Sequence, residues 1–248
     1  MSFAPAPGWS LPRVFAHRCG GALAPENSLA GLRIAAAMGV RAVEFDVMLS
    51  ADATPWLIHD ETLARTTNGR GVVSETSDAV LAGLDAGMYL HRSFAGEGLP
   101  TFEAAALLCR ALGLRVNVEI KPAAGVEALT GEVVARKILA LWQDAPGPLV
   151  SSFSPEALAA ARRVAPQLPL GCLYERPASD WLTAFAALNA FSLHCDGATL
   201  SDELLAAAHE RGIPVLCYTV NDRRAAQTLL ARGVTSVFSD RFDVLAGL

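Results

Sequence analysis

The chain has 248 residues, 52% of them apolar and 18% charged, with a formal net charge of −5. That length and apolar content suit one large core, and an acidic balance without a Lys/Arg block disfavours nucleic acid, whose binding rests on clustered cations that neutralise phosphates. No run reaches the roughly 18 uninterrupted apolar residues that span a bilayer, and Met1–Leu11 lacks the basic and apolar stretches of an export signal. The expectation is a cytoplasmic protein without stable membrane insertion that acts on a small molecule.

Taken along the chain, the first strand candidate is Val14–Arg18, followed by helical periodicity over Leu29–Met38 with Asn27 or Ser28 as its N-cap. Strand patterns recur at Ala42–Leu49, Pro55–His59, Arg115–Lys121, Leu149–Phe153, Leu170–Tyr174, Ala190–Cys195, Pro214–Val220 and Ser236–Ser239. From about Ala123 onward they alternate with Ala/Leu-rich stretches of helical period, the rhythm of βα units on a parallel sheet. Ser154-Pro155-Glu156 and Ser201-Asp202-Glu203 read as capped helix starts.

Nine strand candidates compete for the eight slots of a TIM-type (β/α)8 barrel, so one is expected outside the ring. Asp46 to Trp56 has no room for a crossover helix, and an abbreviated crossover is expected there. Residues 61–99, rich in Gly, Thr, Asp and Ser, read as a small insertion after the third strand, on the face where loops decide substrate choice. The whole, residues 1–248, reads as one irregular barrel domain. The five cysteines lack metal-type spacing, and most lie in apolar runs where a reduced Cys packs as a small hydrophobe, so disulfides are not expected.

The chemistry concentrates on two strands. In Ala42-Val43-Glu44-Phe45-Asp46-Val47 the two-residue period puts Glu44 and Asp46 on one face and the apolar residues on the other. Val116-Asn117-Val118-Glu119-Ile120-Lys121 repeats the pattern, turning Asn117, Glu119 and Lys121 inward. Three clustered acids either stay protonated, pair with bases such as Arg41, Arg115 and Lys121, or hold a cation. An all-oxygen set suits Mg²⁺ or Ca²⁺. His17-Arg18 and His59-Asp60 each end a strand, which places both imidazoles on the rim with the acids, suited to proton transfer on either side of a phosphorus. His194 reads as a weaker candidate or plain core, and His91 and His209 as surface residues.

Ala16-His17-Arg18, Ala24-Pro25-Glu26-Asn27-Ser28, Val43-Glu44-Phe45-Asp46-Val47, Leu57-Ile58-His59-Asp60 with Leu63-Ala64-Arg65-Thr66-Thr67-Asn68-Gly69, Glu119-Ile120-Lys121, Ser151-Ser152-Phe153 and Tyr218-Thr219-Val220-Asn221 together resemble the glycerophosphodiester phosphodiesterase family, in order and spacing, from His17 to Asp240. The resemblance implies an irregular β/α barrel that hydrolyses glycerophosphodiesters to glycerol 3-phosphate and an alcohol with a divalent cation. It places His17 and His59 on the acid/base pair, Glu44, Asp46 and Glu119 on the metal ligands, and Arg18 and Lys121 on phosphate contacts. It also puts Asn27 near the site and Phe153 and Tyr218 against the glycerol. Cys19 stands where the family has Gly, Ser28 where it has Thr, and Tyr218 where Trp is common. Of these, Cys19 is expected to matter most, as a restricted backbone position with an oxidisable sulfur beside the site. Rival readings are a lysophospholipase D-type enzyme, using Leu81, Leu84, Met88, Tyr89, Leu90 and Phe94 as an apolar surface, and a non-catalytic barrel that binds a phosphorylated ligand.

Overall fold

The computed structural model describes residues 10–248, so all but the last two residues of the Met1–Leu11 segment read for an export signal lie outside the described part. Nine strands form among the described residues: β1 (Val14–Ala16), β2 (Ala42–Leu49), β3 (Pro55–Leu57), β4 (Arg115–Ile120), β5 (Leu149–Ser152), β6 (Leu170–Tyr174), β7 (Ser192–Asp196), β8 (Val215–Tyr218) and β9 (Ser236–Ser239). All but β3 run parallel in a ring that closes where β1 pairs with β2 on one side, Ala16 opposite Val43, and with β9 on the other. Helices α1 (Leu29–Ala37), α3 (Phe102–Ala111), α4 (Glu127–Leu141), α5 (Pro155–Val164), α6 (Trp181–Ala187), α7 (Asp202–His209) and α8 (Arg223–Arg232) follow successive barrel strands, and a short α2 (Asp78–Leu81) lies in the insertion. After β9 the chain makes only turns over residues 240–247, so the ring of helices is one short among the described residues.

Alternation along the strands builds two cores. Val43, Phe45, Val47, Val116, Val118 and Ile120 point outward and pack with Phe102, Ala105, Cys109 and Ile138 of the helices, each large side chain contributing about 1.5–3 kcal/mol on burial. The opposite parity points inward, where Phe15, Ala42, Leu149, Leu216 and Phe238 form an apolar cluster inside the ring and leave the C-terminal end to polar side chains. The helix starts read in the sequence form as expected: the Ser154 hydroxyl accepts from the Ala157 N–H and Ser201 from the Leu204 N–H. All five cysteines are free and buried.

The strand outside the ring is β3, and the expected abbreviated crossover is absent. Strand β2 runs past its barrel neighbours, and its last residues, Val47–Leu49, pair antiparallel with Leu57–Pro55. Reversing direction removes the need for a crossover, because an antiparallel partner needs only a tight turn. Asp78 clamps that turn, accepting from Ser50 Oγ (2.6 Å), Thr54 Oγ1 (2.5 Å) and Trp56 Nε1 (2.9 Å). The insertion therefore springs from the end of β2 and includes the hairpin. It has its own core of Met48, Trp56, Ile58, Leu63, Val73, Leu81, Ala86 and Leu99. Leu81 is buried there and Leu84 packs against the same cluster, which leaves Met88, Tyr89 and Leu90 as the exposed members of the apolar set considered for lipid contact. No helix among the described residues is long and apolar enough to cross a membrane.

Candidate active site

The β2–β4 register sets Asp46 beside Glu119 and Glu44 beside Asn117 on the inner face. One carboxylate oxygen from each of Glu44, Asp46 and Glu119 lies within 4.8 Å of the others, and all three residues are buried. Burial first, and then the charges of Asp46 and Glu119, hold the Glu44 carboxyl well above the usual carboxylate range. Burial and Asp46 push Glu119 up to about 8. Glu44 Oε1 has no hydrogen-bond partner, and Glu119 Oε1 has only Lys121 Nζ at 3.5 Å. Lys121 also lies 4.0 Å from Asp46. Arg41 and Arg115, the other bases considered as partners, stand at the opposite end of these strands, where Arg115 donates to the Ser10 carbonyl. Three buried carboxylates with one nearby ammonium and orphaned oxygens fit a hard divalent cation.

Two histidines flank the acids. His17 follows β1, with Nδ1 2.7 Å from Asp240 Oδ1 and Nε2 3.8 Å from Glu44 Oε2. His59 arrives on the returning arm of the hairpin, with Nδ1 2.7 Å from Asp60 Oδ1 and Nε2 3.2 Å from Lys121 Nζ. A carboxylate only accepts, so each Nδ1 carries a proton and each ring turns Nε2 to the cavity, where it takes a proton when the ring is neutral and gives one when it is charged. Burial lowers the His59 pKa in spite of the neighbouring Asp46 and Asp60. Asp60 is held below the usual range chiefly by hydrogen bonds from Arg65, with His59 adding to them. Burial works to raise Asp240, but hydrogen bonds from His17 and Asn221 outweigh it and bring the carboxyl down.

Arg18, Cys19 and Asn27 all adopt left-handed backbone, with φ of 48°, 71° and 55°. The bend turns the Arg18 N–H onto Glu44 Oε2 (2.9 Å) and its guanidinium onto Glu26 (3.2 Å), leaving the buried Nε without a hydrogen-bond partner. The Asn27 side chain donates to Asp46 Oδ2 (2.9 Å) and accepts from the Asp46 N–H (3.1 Å). Ser28, not Asn27, caps α1 by accepting from the Gly31 N–H. Cys19 does adopt the restricted conformation expected of a glycine position, and its thiol lies near enough to feel the charges of Glu44 and Asp46 without lining the cavity. It is fully buried in the outer core, where a Cβ on Gly31 would come within 3.1 Å of its own Cβ, and burial holds the thiol well above its usual range.

The cavity, about 440 Å³, is lined by both histidines, the acids, Arg18 and Lys121, with Phe153 and Tyr218 at its wall. The two rings meet edge to face at 6.0 Å, and the Tyr218 hydroxyl donates to the Tyr174 carbonyl (2.9 Å). His194 also lines the cavity, but it is wholly buried against Ser192, and burial lowers its pKa to about 3, so it stays neutral. His91 and His209 are exposed, as expected. Asp60, Asp240, Glu26 and Arg65 were not singled out from the sequence. Asp60 and Asp240 each carried a signal, a carboxylate placed just beyond a strand end on the rim; Glu26 and Arg65 stand within two of the motifs that carry the family resemblance, but no periodicity or strand end gave either a role.

The chain matches the profile of the glycerophosphoryl diester phosphodiesterase family over residues 17–244. A glycerophosphodiester phosphodiesterase of Caldanaerobacter subterraneus is 30% identical over 236 residues, covering 95% of this chain and 96% of that one. Among solved structures, an Oleispira antarctica phosphodiesterase in complex with the product sn-glycerol 3-phosphate superposes with a TM-score of 0.91 at 35% identity, covering 95% of each chain. The glycerophosphodiester phosphodiesterase of Agrobacterium tumefaciens aligns with a TM-score of 0.78 at 27% identity over 96% of this chain and 100% of that one.

Proposed function

The chain belongs to the glycerophosphoryl diester phosphodiesterase family and is a phosphodiesterase; from that premise we propose that it cleaves glycerophosphodiesters to sn-glycerol 3-phosphate and an alcohol by paired histidine acid–base catalysis. The observation that carries this reading is the pair of aspartate-held imidazoles that face one cavity from either side of a buried acid triad. The product bound to the Oleispira relative supports the substrate class.

Glu44, Asp46 and Glu119 would hold one divalent cation, Mg²⁺ or Ca²⁺, which when bound offsets the negative charge of the phosphate. The Arg18 Nε, which makes no hydrogen bond and lies 3.9 Å from Asp46 Oδ2, and the Lys121 ammonium bind phosphate oxygens. Asn27 acts through Asp46, and Phe153 and Tyr218 present apolar ring surface to the glycerol carbons. One neutral imidazole takes the proton of the attacking hydroxyl at Nε2. The other, protonated, gives its Nε2 proton to the departing alcohol as the phosphorus–oxygen bond breaks. The attacking group is the glycerol 2-hydroxyl, which is already tethered to the phosphate and so acts at high effective concentration. Water then attacks the cyclic phosphate, losing a proton to the imidazole that protonated the alcohol, while the first imidazole returns its proton to the glycerol 2-oxygen as that phosphorus–oxygen bond breaks. The five free, buried cysteines support a reducing, cytoplasmic setting.

The test is release of sn-glycerol 3-phosphate from glycerophosphocholine. Release is expected to stop in EDTA and to return with added Mg²⁺ or Ca²⁺, and His17→Ala or His59→Ala is expected to lower kcat by about 10²–10⁴. Turnover that survives chelation defeats the cation, and full turnover in either variant defeats the acid–base assignment. Phosphorus NMR under slowed turnover should show a transient cyclic phosphate; without one, water is the first nucleophile.

A further inference from the structure

We infer that Arg65 is a positioning residue that fixes His59 and Arg18 relative to one another, an inference that rests on the hydrolytic reading above. The two side chains come from different parts of the fold, Arg18 from the loop before α1 and His59 from the end of β3. Each is gripped by its own carboxylate: Glu26 accepts from Arg18 Nη1 at 3.2 and 3.3 Å, and Asp60 pairs with His59 Nδ1 at 2.7 Å. Arg65 joins those carboxylates. Its Nη1 and Nη2 donate to the two oxygens of Glu26, both at 2.7 Å, while Nη2 reaches Asp60 Oδ1 at 3.0 Å and Nε bonds Asp60 Oδ2. The result is one continuous chain, Arg18–Glu26–Arg65–Asp60–His59.

Only a guanidinium presents donors on two edges of one rigid plane, so it can hold two carboxylates at once; a lysine ammonium is a point charge without that fork. Arg65 is absent from the cavity lining and its side chain is 44% exposed. A partly exposed ion pair of this kind adds little to stability, so its effect lies in orientation. Bond cleavage needs the phosphate clamp and the proton-transfer group at a fixed separation, and a misplacement of about 1 Å is enough to cost on the order of 100-fold in rate. Tyr89, also from the insertion, steadies the same network by accepting from the Glu26 N–H at 2.8 Å.

Steady-state kinetics on glycerophosphocholine with Arg65→Met, Arg65→Lys, Glu26→Gln, Asp60→Asn and their combinations test the inference. Arg65→Met should lower kcat about tenfold or more and raise KM several-fold. Asp60→Asn should act mainly on kcat, Glu26→Gln mainly on KM, and Arg65→Lys should fall between Arg65→Met and the wild type. In the Glu26→Gln/Asp60→Asn background, Arg65→Met should change kcat/KM by less than about twofold, because the network it serves is gone. The inference is overturned if Arg65→Met leaves both constants within twofold of wild type, or if its effect persists undiminished in the double background. It is equally overturned if the loss is matched by a lowered melting temperature and disappears when assayed well below it. Failure of the wild type to release glycerol 3-phosphate would defeat the hydrolytic reading and this inference with it, whereas an active wild type with an indifferent Arg65 defeats the inference alone.

Discussion

Asn27 shows how a single position serves two demands. Left-handed backbone is tolerated by Asn better than by most side chains, and the same bend brings its amide against Asp46 while Ser28 takes over the helix cap. A carboxylate that ligates a cation works best when an outer partner fixes its direction, and loss of such partners typically costs 10–100-fold in affinity. Asn27→Ala is therefore expected to weaken divalent-cation binding by about that factor, read as the Mg²⁺ or Ca²⁺ concentration that half-restores activity after EDTA treatment, with saturating cation recovering much of kcat. Unchanged cation dependence would leave Asn27 no part in holding Asp46. Cys19 points the other way. It holds left-handed backbone and packs in the outer core, while the cavity wall contains no sulfur from it.

The hairpin of β2 and β3 is the element on which His59 depends. Asp78 holds its turn through three side-chain donors, one of them the Nε1 of the buried Trp56. Removing the acceptor leaves that donor unsatisfied, at a cost of about 1–3 kcal/mol. Asp78→Ala should accordingly lower the urea midpoint with an unchanged slope, and reduce kcat by loosening the arm that carries His59. A variant with wild-type midpoint and kcat would show that the turn holds itself. The strands of the barrel were readable because their signal is local. Val43-Glu44-Phe45-Asp46-Val47 and Val116 to Lys121 declare inward and outward faces within six residues, and both faces formed as read. The direction of β3 was not readable in the same way, since Pro55–Leu57 looks alike as a parallel or an antiparallel strand and the clamp that decides it stands at Asp78. The bridge through Arg65 escaped for a similar reason: it links Glu26 to Asp60 across residues with no periodicity in common.

At the scale of the whole molecule, the acid triad sets how stability responds to pH. Glu119 titrates at about 8 in the folded chain, and Glu44 is likewise raised, against about 4.3 for an unperturbed Glu. A carboxyl raised on folding stabilises the native state below its unfolded value and loses that contribution as pH climbs through the folded value. His194 and His59, both lowered on folding, add stability as pH climbs to about 6.5, so the EDTA-treated protein should melt at progressively lower temperature above that, between about pH 6.5 and pH 8. A cation engages the deprotonated acids, so the increase in melting temperature on adding Mg²⁺ or Ca²⁺ should grow over the same range. A melting temperature that rises over this range in EDTA, or a cation effect independent of pH, would contradict the assignment.

The partner of His17 lies 223 residues further along the chain, because the last strand closes the ring against the first. On the ribosome, at about 5–20 residues per second, roughly 10–45 s pass between synthesis of His17 and synthesis of Asp240. During that interval β1 lacks β9, its partner at Val14, Phe15 and Ala16, and the His17 imidazole has no carboxylate to orient it. Catalytic competence in the nascent chain therefore arrives late and abruptly, and a chain stalled before Ser236 would lack both the strand that closes the ring and the carboxylate that orients His17.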